Sequence, residues 1–167
     1  MANLRHQFSH MKLVKKAATF LLIAFIVMQF FRPDKNQAEV THASYFETET
    51  RPNDEVLIVL KSACYDCHSD NTRYPWYNNI APVNYWLDDH IRHGKGELNF
   101  SDWESYSADK KDHKLEEIIE EVKKGKMPLE EYTWTHADAR LTEAQISAVS
   151  SWAAKTRALY QLGQRPE

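Results

Sequence analysis

Cys64-Tyr65-Asp66-Cys67-His68 uses both cysteines of a 167-residue chain and sets a histidine directly behind the second. Two thiols at this spacing fall on one side of a single helical turn, where they can form thioethers to the two vinyl groups on one haem edge. His68 then lies under the iron as proximal ligand, so the pentad predicts one covalent haem c held through Cys64 and Cys67. A thiol–disulfide redox pair could use the same C-x-x-C, but it wants a strand–helix–strand setting that the flanking residues do not offer. A structural zinc site needs four nitrogen or sulfur ligands, and no H-x3-5-H follows at finger spacing. A disulfide across C-x-x-C closes too small a loop to stabilise much.

Haem iron takes a second axial ligand, and His/Met pairs raise the potential of a cytochrome. Met1, Met11 and Met28 all fall in the N-terminal apolar region, which leaves Met127, followed by Pro128, as the first candidate. His90, His113 and His136 are the alternatives, because histidine is the other common axial ligand. Gap-filling in a core is the ordinary use of a methionine. The aromatic stretch after the pentad offers Trp76 and Tyr77 to wall a porphyrin, with Arg73, Trp76 or Tyr77 as donors to its propionates. Each could equally well fill a small domain's core.

Four helices would position these residues. Asn53-Asp54-Glu55 supplies a cap and first-turn acids to the run Val56–Leu60, which leads straight into the pentad. The run is β-branched enough for a strand, but the acids suit a helix start and the pentad needs a turn. Pro82 opens a second helix with Val83, Trp86, Leu87, His90 and Ile91 on its apolar face and Gly94 as its stop. Ser101–Tyr106 is a short turn. Ser107 caps a third helix with Leu115, Ile118, Ile119 and Val122 inward, ending at Gly125. Residues 132–140 form a second aromatic loop. Thr142 and Gln145 make a capping box for a last helix with Ile146, Val149, Trp152 and Ala153 on one stripe, fraying near Gly163.

The N-terminal third is of another kind. Residues 1–33 hold five of the 21 Lys and Arg and none of the 24 Asp and Glu. Ala17–Phe31 is almost wholly apolar and follows Arg5, Lys12, Lys15 and Lys16, the positive-inside signature of an export segment. Fifteen apolar residues rise about 22 Å as a helix, against a hydrocarbon core of about 30 Å. An uncleaved single-pass anchor in the inner membrane is the favoured expectation, with the haem domain on the periplasmic side. Cleavage near Thr41-His42-Ala43, which would leave the domain free in the periplasm, is the alternative. This divides the chain into 1–33 (cytoplasmic N-terminus and anchor), 34–52 (a polar tether) and 53–163 (the haem-binding domain). Residues 34–167 carry 16 basic against 24 acidic side chains, a formal net of −8. Such a surface argues against nucleic acid and suits a redox partner with a basic docking face, although a solvated acidic surface needs no partner.

Cys64–His68 together with Tyr74-Pro75-Trp76-Tyr77, Ile80-Ala81-Pro82-Val83, Leu98-Asn99-Phe100-Ser101, Asp112-His113-Lys114-Leu115-Glu116-Glu117 and Met127-Pro128 resembles the bacterial haem-binding domain family of small monohaem, cytochrome c-like proteins. The likeness covers about residues 45 to 157. It implies Cys64 and Cys67 as thioether sites, His68 as proximal ligand and Met127 as distal ligand. The order of elements also looks like that of class I cytochromes c, so the expected fold is all-α, a helical domain around one covalent haem behind an N-terminal membrane helix. The expected function is electron carriage rather than catalysis. A haem-based redox or gas sensor is the first alternative, and a haem-free thiol–disulfide oxidoreductase the second. One haem and no evident distal acid–base residue argue against a peroxidase.

Overall fold

The computed structural model describes residues 2–38 and 43–164, with side chains from His10 onward. Thr41 and His42 of the possible cleavage site lie outside the described residues. Eight α-helices appear among the described residues: α1 (Ala2–Met28), α2 (Ala43–Thr50), α3 (Asp54–Val59), α4 (Tyr65–His68), α5 (Val83–Glu97), α6 (Ala108–Lys123), α7 (Glu130–Thr135) and α8 (Glu143–Gln161). Short 3-10 turns and one π-helical turn join them. Extended pairing among the described residues is confined to an isolated bridge between Gln37 and Asn71. The chain is therefore all-α, as its periodicity predicts.

It divides into two compact units, Met1–Asp34 with Tyr74–Asp89, and Lys35–Arg73 with His90–Glu167. In the first, α1 runs for 27 residues but stops at Met28, short of Phe31 where the apolar run ends. Among the described residues no helix is long and apolar enough to cross a membrane. The expected N-terminal membrane helix thus lacks support in the helix itself, since Lys12, Lys15 and Lys16 interrupt its hydrophobicity and the chain turns at Gln29.

The second unit holds the core. Asn53 caps α3 by accepting the Val56 N–H at 3.0 Å. Val56, Val59 and Leu60 point inward, all 1% exposed or less. The helix passes through a π-helical turn, Leu60–Cys64, into α4, so the pentad sits at the end of one near-continuous helical segment. Ser107 caps α6 and the Thr142–Gln145 capping box opens α8. These long helices pack on each other and α8 also receives α3.

Four expectations need correction. Residues 132–140 are not a plain loop, because α7 runs into them and a 3-10 turn, Ala137–Ala139, follows. Residues 34–52 are not a bare tether, because α2 lies within them and buries Phe46 completely. The Phe46 ring meets Phe100 at 4.5 Å, Trp103 at 5.0 Å and Trp152 at 5.8 Å between centroids. Gly94 does not end α5, which continues to Glu97. A Cβ on Gly94 would stand 2.7 Å from the Cys67 carbonyl oxygen and 3.1 Å from its Cβ, so this glycine is a point of close approach. Trp86 is 47% exposed: of its expected stripe Leu87 and Ile91 are buried, and Asn84 is buried beside them where Trp86 is expected.

Candidate functional site

A cavity of about 340 Å3 opens in the larger unit beside the pentad, within the size range of small-molecule and cofactor sites. Its wall is mainly apolar, with Val59, Leu60, Phe100, Ile118, Leu141 and Val149 from several elements. Cys64, His68 and Met127 line the same cavity. Residues some sixty positions apart in sequence are thus brought to one hollow, the pentad by the π-helical turn and α4, and Met127 by the turn after α6. That turn is fixed from behind, since the N–H groups of Lys126 and Met127 both reach the Glu121 carbonyl, at 2.9 and 3.2 Å.

His68 is oriented by its ring. Its Nδ1 lies 2.9 Å from the Leu98 carbonyl oxygen, just past the end of α5. A carbonyl can only accept, so Nδ1 carries the proton and Nε2 keeps its lone pair for a metal. Burial also pushes the His68 pKa below its ordinary value, which favours the neutral, ligating form.

The two thiols are not bonded to each other. Burial, and then the charge of the Cys67 thiolate, push Cys64 up to about 12, while burial, and then the Asp66 carboxylate, push Cys67 up to about 11. A redox-active cysteine needs the opposite setting, electropositive and with its thiolate favoured. Cys67 turns its backbone to Gly94 and is not among the residues lining the cavity.

Asp66, inside the pentad, is 5% exposed and anchors the turn. Its Oδ1 accepts the Arg73 backbone N–H at 3.0 Å and Nε at 3.2 Å, and its Oδ2 accepts Arg73 Nη2 at 3.1 Å and the Tyr132 hydroxyl at 2.6 Å. The Asp66 hydrogen bonds hold the Arg73 guanidinium above its ordinary pKa, while desolvation pushes the Tyr132 hydroxyl up. Arg73, expected to reach a propionate, is turned to Asp66 and does not line the cavity. Arg73 Nη2 also reaches the Ser62 carbonyl at 3.4 Å, inside the π-helical turn where regular backbone pairing shifts.

Trp76 and Tyr77 belong to the other compact unit, where their rings meet edge to face at 5.9 Å, and are not among the lining residues. Trp76 is 76% exposed. Of the alternative axial ligands, His136 stacks on Tyr132 at 4.1 Å and His113 lies by Glu116 and Glu117; neither they nor His90 line the cavity. Sequence reasoning missed Lys114 at the cavity, paired with Glu117 at 2.6 Å, together with Glu97 and Glu121. They follow a helical repeat of charge that reads as solvated face, and only the fold shows which side borders a hollow.

The side chains present fit a haem. An apolar wall suits a porphyrin, an imidazole with a free Nε2 and a thioether sulfur share the cavity, and two uncombined thiols stand at attachment spacing. Among the described residues no group of three or more His, Cys, Asp or Glu side chains is placed to hold a bare metal ion. A family model described as a haem-binding domain matches residues 23–155. No curated protein and no solved structure matches the chain.

Proposed function

The chain belongs to the haem-binding domain family, and from that premise we propose that it is a monohaem c-type cytochrome that carries single electrons. The observation that carries the reading is the meeting of Cys64, His68 and Met127 at one apolar cavity. Cys64 and Cys67 would hold the cofactor by thioethers, and His68 Nε2 and Met127 Sδ would be the ligands to its iron. Bound there, the haem supplies a one-electron iron couple. The protein's own part is to fix the ligands, exclude water and present a docking surface. The Leu98 carbonyl keeps the His68 ring in one tautomer, Asp66 holds the pentad's turn through Arg73 and Tyr132, and the Glu121 carbonyl holds the Met127 turn. No substrate is chemically changed in this reading.

The acidic balance beyond residue 33 supports a partner with a basic face and disfavours nucleic acid. The acid-free N-terminal segment supports delivery to the inner membrane, with the haem domain on the periplasmic side, retained by residues 17–31 or released after cleavage. The high-lying thiols weigh against disulfide exchange.

Protein matured with the cytochrome c assembly machinery should gain the mass of one haem that survives denaturation. Methionine ligation should give the weak far-red band of ferric His/Met haem, and Met127→Ala should abolish it. A colourless protein with two titratable thiols would sink the cytochrome reading. Rapid carbon monoxide binding to untreated ferrous protein would replace the carrier with a gas sensor.

A further inference from the structure

The smaller unit brings two distant stretches together. The Gln29 side chain, at the end of α1, donates from Nε2 to the Ala81 carbonyl at 3.1 Å and accepts the Ala81 N–H through Oε1 at 2.9 Å. The Tyr85 hydroxyl donates to the Phe31 carbonyl at 2.7 Å. Residues 81–85 are thereby fastened to the apolar end of α1, fifty-odd positions upstream.

The surface so assembled is apolar and exposed. Phe30 and Phe31 are 81% and 64% exposed, Trp76 76% and Trp86 47%, with Ile80 and Tyr85 also on the surface. Trp and Tyr pair an apolar ring with a polar tip, the amphipathic character that concentrates these residues at membrane–water boundaries. At the other end of the apolar run, Lys12, Lys15 and Lys16 are exposed, and no acidic side chain precedes Asp34. Cations at one end and aromatics at the other match an anionic bilayer better than a second protein surface. The helical part of the run, Ala17–Met28, rises only about 18 Å, so apolar surface added where α1 stops compensates for its shortness.

We propose that this unit is a lipid-interface anchor: Trp76, Ile80, Tyr85 and Trp86 sink into the bilayer boundary beside Phe30 and Phe31, forming a collar around the end of α1. The assignment rests on the membrane reading given above and adds the collar to it. It also gives Trp76 a role away from the cavity.

The full-length, haem-loaded protein is reconstituted into vesicles of phosphatidylethanolamine and phosphatidylglycerol with brominated acyl chains, and tryptophan emission is read. Trp103, Trp134 and Trp152 all belong to the other unit, so a Trp76→Phe/Trp86→Phe variant reports the collar alone. The expected result is loss of about half or more of the bromine-quenchable emission in that variant, since boundary tryptophans sit within reach of the acyl chains. Vesicle-bound protein with quenching equal in both forms overturns the collar and leaves the membrane reading standing. Protein that does not float with the vesicles overturns both. Unquenched protein that runs as a dimer in mild detergent, and as a monomer after Trp76→Ser/Trp86→Ser, assigns the face to self-association and also overturns the collar.

Discussion

His68 shows how much of the proposed chemistry depends on a neighbour that no motif names. The pentad announces the imidazole, but the Leu98 carbonyl, thirty residues on, selects its tautomer. The same holds for Gly94, which reads as a helix stop in one dimension and proves to be the place where α5 touches Cys67. Gly94→Ala is expected to destabilise the protein by about 1–3 kcal/mol, the range for overpacking a close contact. It should also lower the haem-to-protein ratio, because the backbone of Cys67 must shift. Denaturant unfolding and haem content check both, and an unchanged ratio would mean that Cys67 tolerates the displacement. Asp66 and Tyr132 were equally hidden, since a carboxylate at a variable motif position and a tyrosine sixty-six residues later share no sequence pattern.

Helices whose ends carry their own signals were readable. Asn53, Ser107 and the Thr142–Gln145 box each satisfy orphan backbone N–H groups locally, so α3, α6 and α8 start where the sequence says. The signals missing from sequence belong to elements stabilised from a distance. In α2, Glu49 is 8% exposed and its carboxylate receives Lys111 Nζ from α6 at 2.9 and 2.8 Å and the Tyr160 hydroxyl from α8 at 2.8 Å. Lys111→Met strands that carboxylate and should cost about 3–5 kcal/mol in denaturant unfolding, while adding Glu49→Leu should recover most of the loss. A second pair behaves differently with pH. Hydrogen bonding from Arg157 on α8 holds Asp112 on α6 below its ordinary 3.8. A depressed folded-state value means stability that is present above 3.8 and is lost as pH falls through the folded value. Asp112→Asn should therefore lower stability at pH 7, by less than about 1 kcal/mol. Urea unfolding of both forms should converge in strong acid, and a gap that persists there would show that charge is not its source.

Charge separates the chain as a whole, all basic to residue 33 and net acidic beyond it. If the acidic portion meets a basic redox partner, the bimolecular electron-transfer rate should fall as salt rises, over the range where the Debye length shrinks from about 30 Å at 0.01 M to about 8 Å at 0.15 M. Stopped-flow mixing with a basic and an acidic test protein distinguishes steering from ordinary salt effects, because the acidic one should speed up instead. The all-α class could be read from hydrophobic period alone, but the division of the chain could not. The stretch after Arg32 is polar and proline-marked, like a linker, yet Asn36–Ala38 bonds to the segment behind the pentad and Phe46 fills the centre of the aromatic cluster.

The place of that phenylalanine bears on how the protein can be shortened. A version begun at residue 53, where composition suggests the domain opens, would discard the ring around which Phe100, Trp103 and Trp152 are arranged and the carboxylate that answers Lys111. Any truncated form meant for crystallisation or spectroscopy should keep everything from Lys35 onward. Loss of the α2 segment after a proteolytic nick between Thr50 and Asp54 should unfold the remainder.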